Sequence, residues 1–526
     1  MEAKIAHDCL ALGRLPERHA RYRPRHTAVV APAGPREVRL DWREFDAYVN
    51  RWANALAGLG VARGDRVATA LPNSIELLAT YWACFKLGAA AVPLSTLLNA
   101  GGLASLLADA APRAIVSNGD LRAVLDEVRA GGTSADAAWV LTDANAGDAP
   151  AGYHAYSRLW MEASDAPPGV AVSSDDLATI MYTSGTTGLP KGICHTHFIR
   201  SMYATTLAST WRMSPSSVVL HSGAIVFNGA MTTLLPAFMV GATYVVHRAF
   251  DAEAFIATVE RERVTHTMLV PAQIIAILNA RGFEPSRLTS LECVLSLGAP
   301  LHVEYKNRLN AQLPNRFYEL YGLTEGFITV LDRDDALRKA GSVGVPPPYY
   351  ELRIVGPDGE DCPTGQVGEI VGRGPITMPG YYRNERKTAE ALRDGWLYTG
   401  DAGYVDDEGF LYLVDRMKDM IDSGGVKVYP KDVEEVAARH PDVREVAVFG
   451  VPHDKWGETP VAAVVLKEGA SIDAVTLRDW INARVAAKYQ RVDRVMILDA
   501  FPRNAAGKTL KRELRAPFWE GKGRAI

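Results

Sequence analysis

Thr183-Ser184-Gly185-Thr186-Thr187-Gly188-Leu189-Pro190-Lys191-Gly192 follows directly on an apolar run over 177–182. The run reads as a short buried strand, and the ten residues after it read as a loop that cradles phosphate. Glycines let backbone N–H groups approach a polyphosphate, three threonines and a serine add hydroxyl donors, and Lys191 adds a positive charge. The loop lacks the GxxxxGK[ST] spacing of a Walker A motif. An ordinary Gly/Ser/Thr surface turn is the bland alternative, and the density of donors directly after a strand argues against it.

Working outward, the residues before this loop alternate between two periods. Apolar residues recur at helical spacing over 42–59 and 75–87, with a short strand over 66–71 between them. Further strands are expected over 114–117 and 139–141. Such alternation predicts an α/β fold with parallel sheets covered by helices. Between 345 and 415 the texture changes to short strand-like runs (351–355, 368–371, 409–414) separated by turns such as Pro357-Asp358-Gly359, which predicts a β-rich subdomain. After Arg416 a new pattern begins: helix over 433–439, strands over 443–450 and 460–465, helix over 475–485. Division is therefore expected into 1–416, with two α/β subdomains plus the β-rich one, and 417–526, a small mobile α+β domain.

The 526 residues carry 57 Lys and Arg against 61 Asp and Glu, a net charge of 57 − 61 = −4. No global basic field exists to hold nucleic acid. The five cysteines are scattered without a CxxC pair, which indicates reduced thiols and neither a disulfide framework nor a zinc site. The N-terminus lacks a signal-peptide core. Residues 218–246 carry no formal charge, but His221, Asn228, Gly229, Pro236 and Gly241 interrupt them, so a buried strand–helix–strand segment is expected, not a membrane span. A soluble cytoplasmic protein follows as the expectation, with a homodimer left open.

Tyr318-Glu319-Leu320-Tyr321-Gly322-Leu323-Thr324-Glu325 places a hydroxyl and a carboxylate on a turn. Beside a phosphate loop, that carboxylate suits Mg²⁺, which is bound through one or two carboxylates and phosphate oxygens. Three further stretches look unremarkable alone: Gly395-Trp396-Leu397-Tyr398-Thr399-Gly400-Asp401, Ser423-Gly424-Gly425-Val426-Lys427, and Pro502-Arg503-Asn504-Ala505-Ala506-Gly507-Lys508. Cys194-His195-Thr196-His197 offers metal-ligating side chains, but neighbouring positions converge poorly on one ion and no fourth ligand is evident. His221 and His266 sit on apolar segments and read as core histidines.

Taken in order from 42 to 508, these motifs resemble the adenylate-forming superfamily of acyl- and aryl-CoA synthetases, luciferases and peptide-synthetase adenylation domains. The resemblance implies ATP, Mg²⁺ and coenzyme A as ligands. It assigns Thr183, Ser184, Gly185, Thr186, Thr187 and Lys191 to the ATP phosphates, Thr324 to the α-phosphate and Glu325 to Mg²⁺. Gly298, Ala299 and Pro300 would form the adenine-side loop, with Glu319, Tyr321 and Gly322 on the nucleotide and Tyr321 stacked on adenine. Asp401 would hold the ribose hydroxyls with Arg416 as its companion, and Lys418 would be the hinge. Ser423, Gly424, Gly425 and Lys427 would line the thiol tunnel, and Lys508 would bridge the carboxylate and α-phosphate.

An alignment of Gly241-Ala242-Thr243 with the superfamily puts Val226 where relatives often carry His or an aromatic residue. Val226, Asn228, Met231, Met268, Val270, Ser296 and Phe327 are the expected acyl-pocket walls. Mostly apolar walls suit a fatty, aryl or alicyclic carboxylate. The implied reaction is ATP-dependent ligation of that acid to CoA, in fatty acid metabolism. Transfer to a carrier-protein thiol and a non-catalytic nucleotide-binding relative are the alternatives.

Overall fold

The apolar period over 42–59 becomes helix Trp42–Gly58 in the computed structural model, which describes residues 10–34, 36–145, 147, 149–183, 191–299, 301–416, 419–423, 426–503 and 509–520, the side chains of Arg416 and Lys427 excepted. Asp41 fixes where that helix starts. Its carboxylate accepts from the Glu44 N–H at 2.8 Å, and Glu44 Oε2 accepts from the Asp41 N–H at 2.9 Å, so two orphan donors are satisfied reciprocally. Phe45, Val49, Trp52 and Leu56, three or four residues apart, form its buried stripe.

The chain divides into two compact units, the first holding 1–340, 346–351 and 373–397, the second 341–345, 352–372 and 398–526. Among the described residues, the first unit contains two sheets. One has seven strands in the order His154–Ala155, Ala138–Leu141, Ala114–Ser117, Arg66–Ala70, Ala90–Pro93, Leu177–Thr183, Lys191–Thr196. All but the last are parallel. The other has eight strands in the order Phe327–Leu331, Phe317–Leu323, Cys293–Leu297, His266–Leu269, Val218–His221, Thr243–Val246, Thr27–Ala33, Arg36–Asp41. Its six inner strands are parallel and its two edge strands antiparallel. The uncharged stretch 218–246 is the expected strand–helix–strand: Val218–His221, Asn228–Val240 and Thr243–Val246. Among the described residues, no helix is long and apolar enough to cross a membrane.

In the second unit, strands Val443–His453 and Gly457–Leu466 pair antiparallel, and their side chains alternate between two cores. Val448, Ala462 and Val464 face helices Pro430–Ala438 and Ala474–Asn482, while Ala447, Phe449, Val461 and Ala463 face Phe501 and Leu514. The β-rich stretch pairs residues 401–405 with 411–416 in this same unit. Two contacts tie strand 411–416 to helix 430–438: Lys431 Nζ donates to the Leu413 carbonyl at 2.6 Å, and the Lys431 N–H donates to Asp415 Oδ2 at 3.2 Å.

Among the polar groups buried in the first unit, an ion pair and two imidazoles bear directly on stability. Helix Val303–Gln312 aims Lys306 at Glu319, and both side chains are 4% exposed in a direct ion pair. Lys306→Met would strand the Glu319 carboxylate without its lysine and should cost about 3–5 kcal/mol of stability in urea unfolding. Burial holds the imidazoles of His197 and His221 down to about 4, from an ordinary 6.5. The unfolded chain takes up these protons near 6.5 and the folded chain near 4. Stability is therefore full above that range and falls as the pH drops through it, by roughly 1.4 kcal/mol per pH unit per imidazole. Urea midpoints at pH 7 and pH 5 measure this, and equal midpoints would contradict it.

Candidate active site

Strands Leu177–Thr183 and Lys191–Thr196 run antiparallel with Thr183 opposite Lys191, which fixes both ends of the glycine-rich connection. Ser184, Gly185, Thr186 and Thr187 lie outside the described residues. Lys191 projects over the ring of Tyr381, its Nζ 4.7 Å from the ring centroid. The Tyr381 hydroxyl donates to Glu325 Oε1 at 2.9 Å. Burial and the neighbouring Glu325 both raise the Tyr381 pKa, so the phenol stays protonated and remains a donor.

The segment carrying Tyr381 is stitched to both neighbours through its backbone. The Met378 N–H donates to the Glu325 carbonyl at 2.8 Å, the Tyr382 N–H to Gly192 at 2.7 Å, and the Cys194 N–H to Gly380 at 3.2 Å. Gly326 makes this approach possible. Its φ is +106°, and a Cβ there would sit 1.9 Å from the Ile376 carbonyl oxygen. Three stretches far apart in sequence thus meet at one cation and one carboxylate.

A second buried network backs the Thr324–Glu325 turn. Thr196 caps helix His197–Thr210, accepting from the Ile199 N–H at 3.2 Å, and the helix carries Arg200 into the interior. Arg200 is 0% exposed. Its Nε and Nη2 donate to Thr179 Oγ1 at 3.0 and 2.8 Å, Nη1 to Asn228 Oδ1 at 2.7 Å, and Nη2 to His195 Nδ1 at 3.2 Å. Because arginine only donates, His195 Nδ1 is the acceptor, and the ring proton sits on Nε2, which donates to the Thr324 carbonyl at 2.8 Å. Burial, then the adjacent guanidinium, pushes His195 well below the ordinary imidazole range, so it is neutral. Burial lowers Arg200 to about 10, which leaves it charged at neutral pH.

The expected acyl-wall residues do not all share one face. Gly229, at the start of helix Asn228–Val240, lies where a Cβ would be 2.9 Å from Leu297 Cδ1 and 3.4 Å from Met268 Cε. Gly298, with φ +91°, lies where a Cβ would be 3.6 Å from Val270 Cγ1. Asn228, Met268 and Val270 therefore border one region at the C-terminal ends of parallel strands, where open α/β sheets bind ligands. Ser296 does not join Met268. Met268 registers with Leu295 and Leu269 with Ser296, so Ser296 points to the opposite face, in line with Glu319. Val226, Met231 and Phe327 are buried.

Of the expected nucleotide residues, Gly298 and Ala299 are exposed, Pro300 lies outside the described residues, and Tyr321 is 8% exposed. Gly322 packs where a Cβ would be 2.6 Å from Ile328 Cγ2. Glu319 is engaged by Lys306 inside the fold. In the second unit, Asp401 lies in the middle of a strand, not at a turn, and registers with Arg416. Ser423 registers with Val426. Lys418, Gly424, Gly425 and Lys508 lie outside the described residues, as does the Lys427 side chain.

Among the described residues, no three His, Cys, Asp or Glu gather to hold a metal. A divalent cation fits here only as Mg²⁺ fits nucleotides, on a carboxylate and ligand oxygens, and among the described residues the Tyr381 hydroxyl takes Glu325 Oε1 while no hydrogen bond takes Oε2. Sequence reading missed Tyr381, whose sole signal was a Pro-Gly turn before two tyrosines at 379–382. It also read His195 only as a metal candidate, while the structure uses it as a hydrogen-bond relay.

A family model described as AMP-binding enzyme matches residues 16–382, and one described as AMP-binding enzyme C-terminal domain matches 432–508. A feruloyl-CoA synthase of an Amycolatopsis species is 37% identical over 516 residues, covering 96% of this chain and 99% of that protein. The long-chain-fatty-acid–CoA ligase FadD13 of Mycobacterium tuberculosis is 35% identical over 509 residues, 96% of this chain and 98% of that one. The crystal structure of ATP-bound MatB from Rhodopseudomonas palustris superposes with a TM-score of 0.88 at 29% identity, covering 98% of this chain and all of that one.

The geometry makes Gly326 the position least able to change. Gly326→Ala should cost at least about 3 kcal/mol of stability, from a Cβ against backbone and an unfavourable φ together. Thermal melting of the purified variant against wild type measures it, and an unchanged midpoint would show that the 376–382 segment does not approach this turn.

Proposed function

The chain belongs to the AMP-binding family of adenylate-forming enzymes, and from that premise we propose that it is an ATP-dependent carboxylic acid–CoA ligase acting on an apolar fatty, aryl or alicyclic acid. The observation that carries the reading is the Lys191–Tyr381–Glu325 constellation, a cation and a carboxylate held on the two sides of one phenol. A carboxylate resists nucleophiles because its own charge repels them and oxide leaves badly. Transfer of the acid to AMP removes both obstacles, and the demand on the protein becomes stabilising charge on phosphorus and pyrophosphate.

Lys191 and the donors of 183–187 meet that demand on the phosphates. Glu325 would hold Mg²⁺, which when bound neutralises phosphate charge. Thr324 contacts the α-phosphate. Gly298, Ala299, Pro300 and Tyr321 receive adenine, and Asp401 with Arg416 the ribose. Lys508 bridges the carboxylate and the α-phosphate in the first half-reaction. The thiol of CoA then attacks the acyl carbon of the acyl-adenylate, losing its proton and expelling AMP, and approaches along Ser423, Gly424, Gly425 and Lys427. One pocket serves both halves when the domain beyond 416 turns about Lys418, a hinge motion that withdraws Lys508.

Two outcomes are expected. Pyrophosphate–ATP exchange across a panel of fatty, aryl and alicyclic acids should give exchange with at least one acid, and AMP release should then depend on CoA. Exchange with none would refute the function, and release that responds only to a holo-carrier protein would refute CoA as acceptor. Tyr381→Phe should raise the Mg²⁺ concentration needed for half-maximal exchange by about 10–100-fold, because it removes the donor that orients the metal-holding carboxylate. A Mg²⁺ titration of the exchange rate reads this directly.

A further inference from the structure

Arg200 is a guanidinium 0% exposed, and among the described residues no carboxylate pairs with it. A buried cation is normally compensated by an acidic partner, since desolvation penalises the charged form. Here every recorded partner is neutral: one threonine hydroxyl, one amide oxygen and one imidazole nitrogen. The ring of Tyr203 lies 5.2 Å from the guanidinium carbon, and Asn228 Nδ2 donates to the Tyr203 hydroxyl at 3.2 Å. Two of the neutral partners lead to the two halves of the candidate site. Through His195 the charge reaches the Thr324 carbonyl, one residue from Glu325. Through Asn228 it reaches the start of the helix whose Gly229 abuts Met268 and Leu297.

We propose that Arg200 is a positioning residue for the adenylation step, one guanidinium that sets the Thr324–Glu325 turn through His195 and the acyl wall through Asn228. The proposal rests on the ligase reading above. Chained hydrogen bonds polarise one another, so the guanidinium draws electron density from the Thr324 carbonyl through the imidazole. Its other arm fixes which way the Asn228 amide faces: with Oδ1 committed to Arg200, only Nδ2 remains to donate. A neutral side chain of the same length would release both at once.

The test is a kinetic split on the full-length enzyme, using pyrophosphate–ATP exchange with the panel acid that wild type activates fastest. Asn228→Ala should raise KM for the acid about tenfold or more with kcat nearly unchanged, and His195→Phe should lower kcat with the acid KM nearly unchanged. Arg200→Met should do both while KM for ATP moves less than about twofold, and Arg200→Lys should recover only part of the loss, since it keeps the charge and loses the fork. Acid and ATP KM rising together, or neither acid KM nor kcat moving in Arg200→Met, would overturn the proposal. If Arg200→Met fails to fold, the other two variants decide: both altering the same parameter overturns it.

Exchange by wild type with no acid at all is a failure of the ligase reading instead. The wiring is then read from ¹⁵N signals of the histidine rings, with His195 assigned by its loss in His195→Phe. An unprotonated Nδ1 on His195 in wild type supports the Arg200 contact, and a protonated Nδ1 overturns it.

Discussion

An ideal Cβ on Gly326 would stand 1.9 Å from the carbonyl oxygen of Ile376, and much of the site depends on that absent atom. Because the two backbones can touch, the Met378 N–H reaches the Glu325 carbonyl, and Tyr381 comes to lie between Lys191 and Glu325. Neither charged side chain needs to be long-range steered. Each is placed by a strand end and a backbone contact, and the phenol sets the distance between them. Preorganisation of this sort is how fixed charges act on phosphoryl chemistry without paying for reorientation during the reaction.

The regular elements were legible because their apolar periods are clean. The helix over 75–87 and the strand over 114–117 coincide with Ile75–Leu87 and Ala114–Ser117, since glycine and polar residues end the pattern at both sides. The uncharged stretch 218–246 resolved for the same reason, with Gly241 at φ +78° closing its helix. Local pattern was less informative where tertiary contact decides. An Asp after a Gly, as at Asp401, carries the local signature of a turn, but pairing with the 411–416 strand draws it into an extended ladder. Ser296 and Met268 looked alike as pocket walls, and strand register sends them to opposite faces.

The site was legible as motifs and illegible as wiring. Thr183, Lys191, Thr324 and Glu325 announce themselves by residue type and spacing. Tyr381 and Arg200 do not, because a tyrosine and an arginine carry no local signature of what they will touch once the chain is folded. Burial is what gives Arg200 its meaning. The same residue on the outer face of its helix would be a solvated charge, whereas inside it meets only neutral partners among the described residues and remains protonated.

The proposed chemistry turns on a triphosphate being held between Lys191 and Glu325 with a divalent cation on the carboxylate. Calorimetric titration with α,β-methylene ATP, in buffer with and without Mg²⁺, tests this without any acid substrate. The account predicts tight binding that depends on Mg²⁺ in wild type and loses that dependence in Glu325→Gln. Binding with the same Mg²⁺ dependence in both proteins would contradict it.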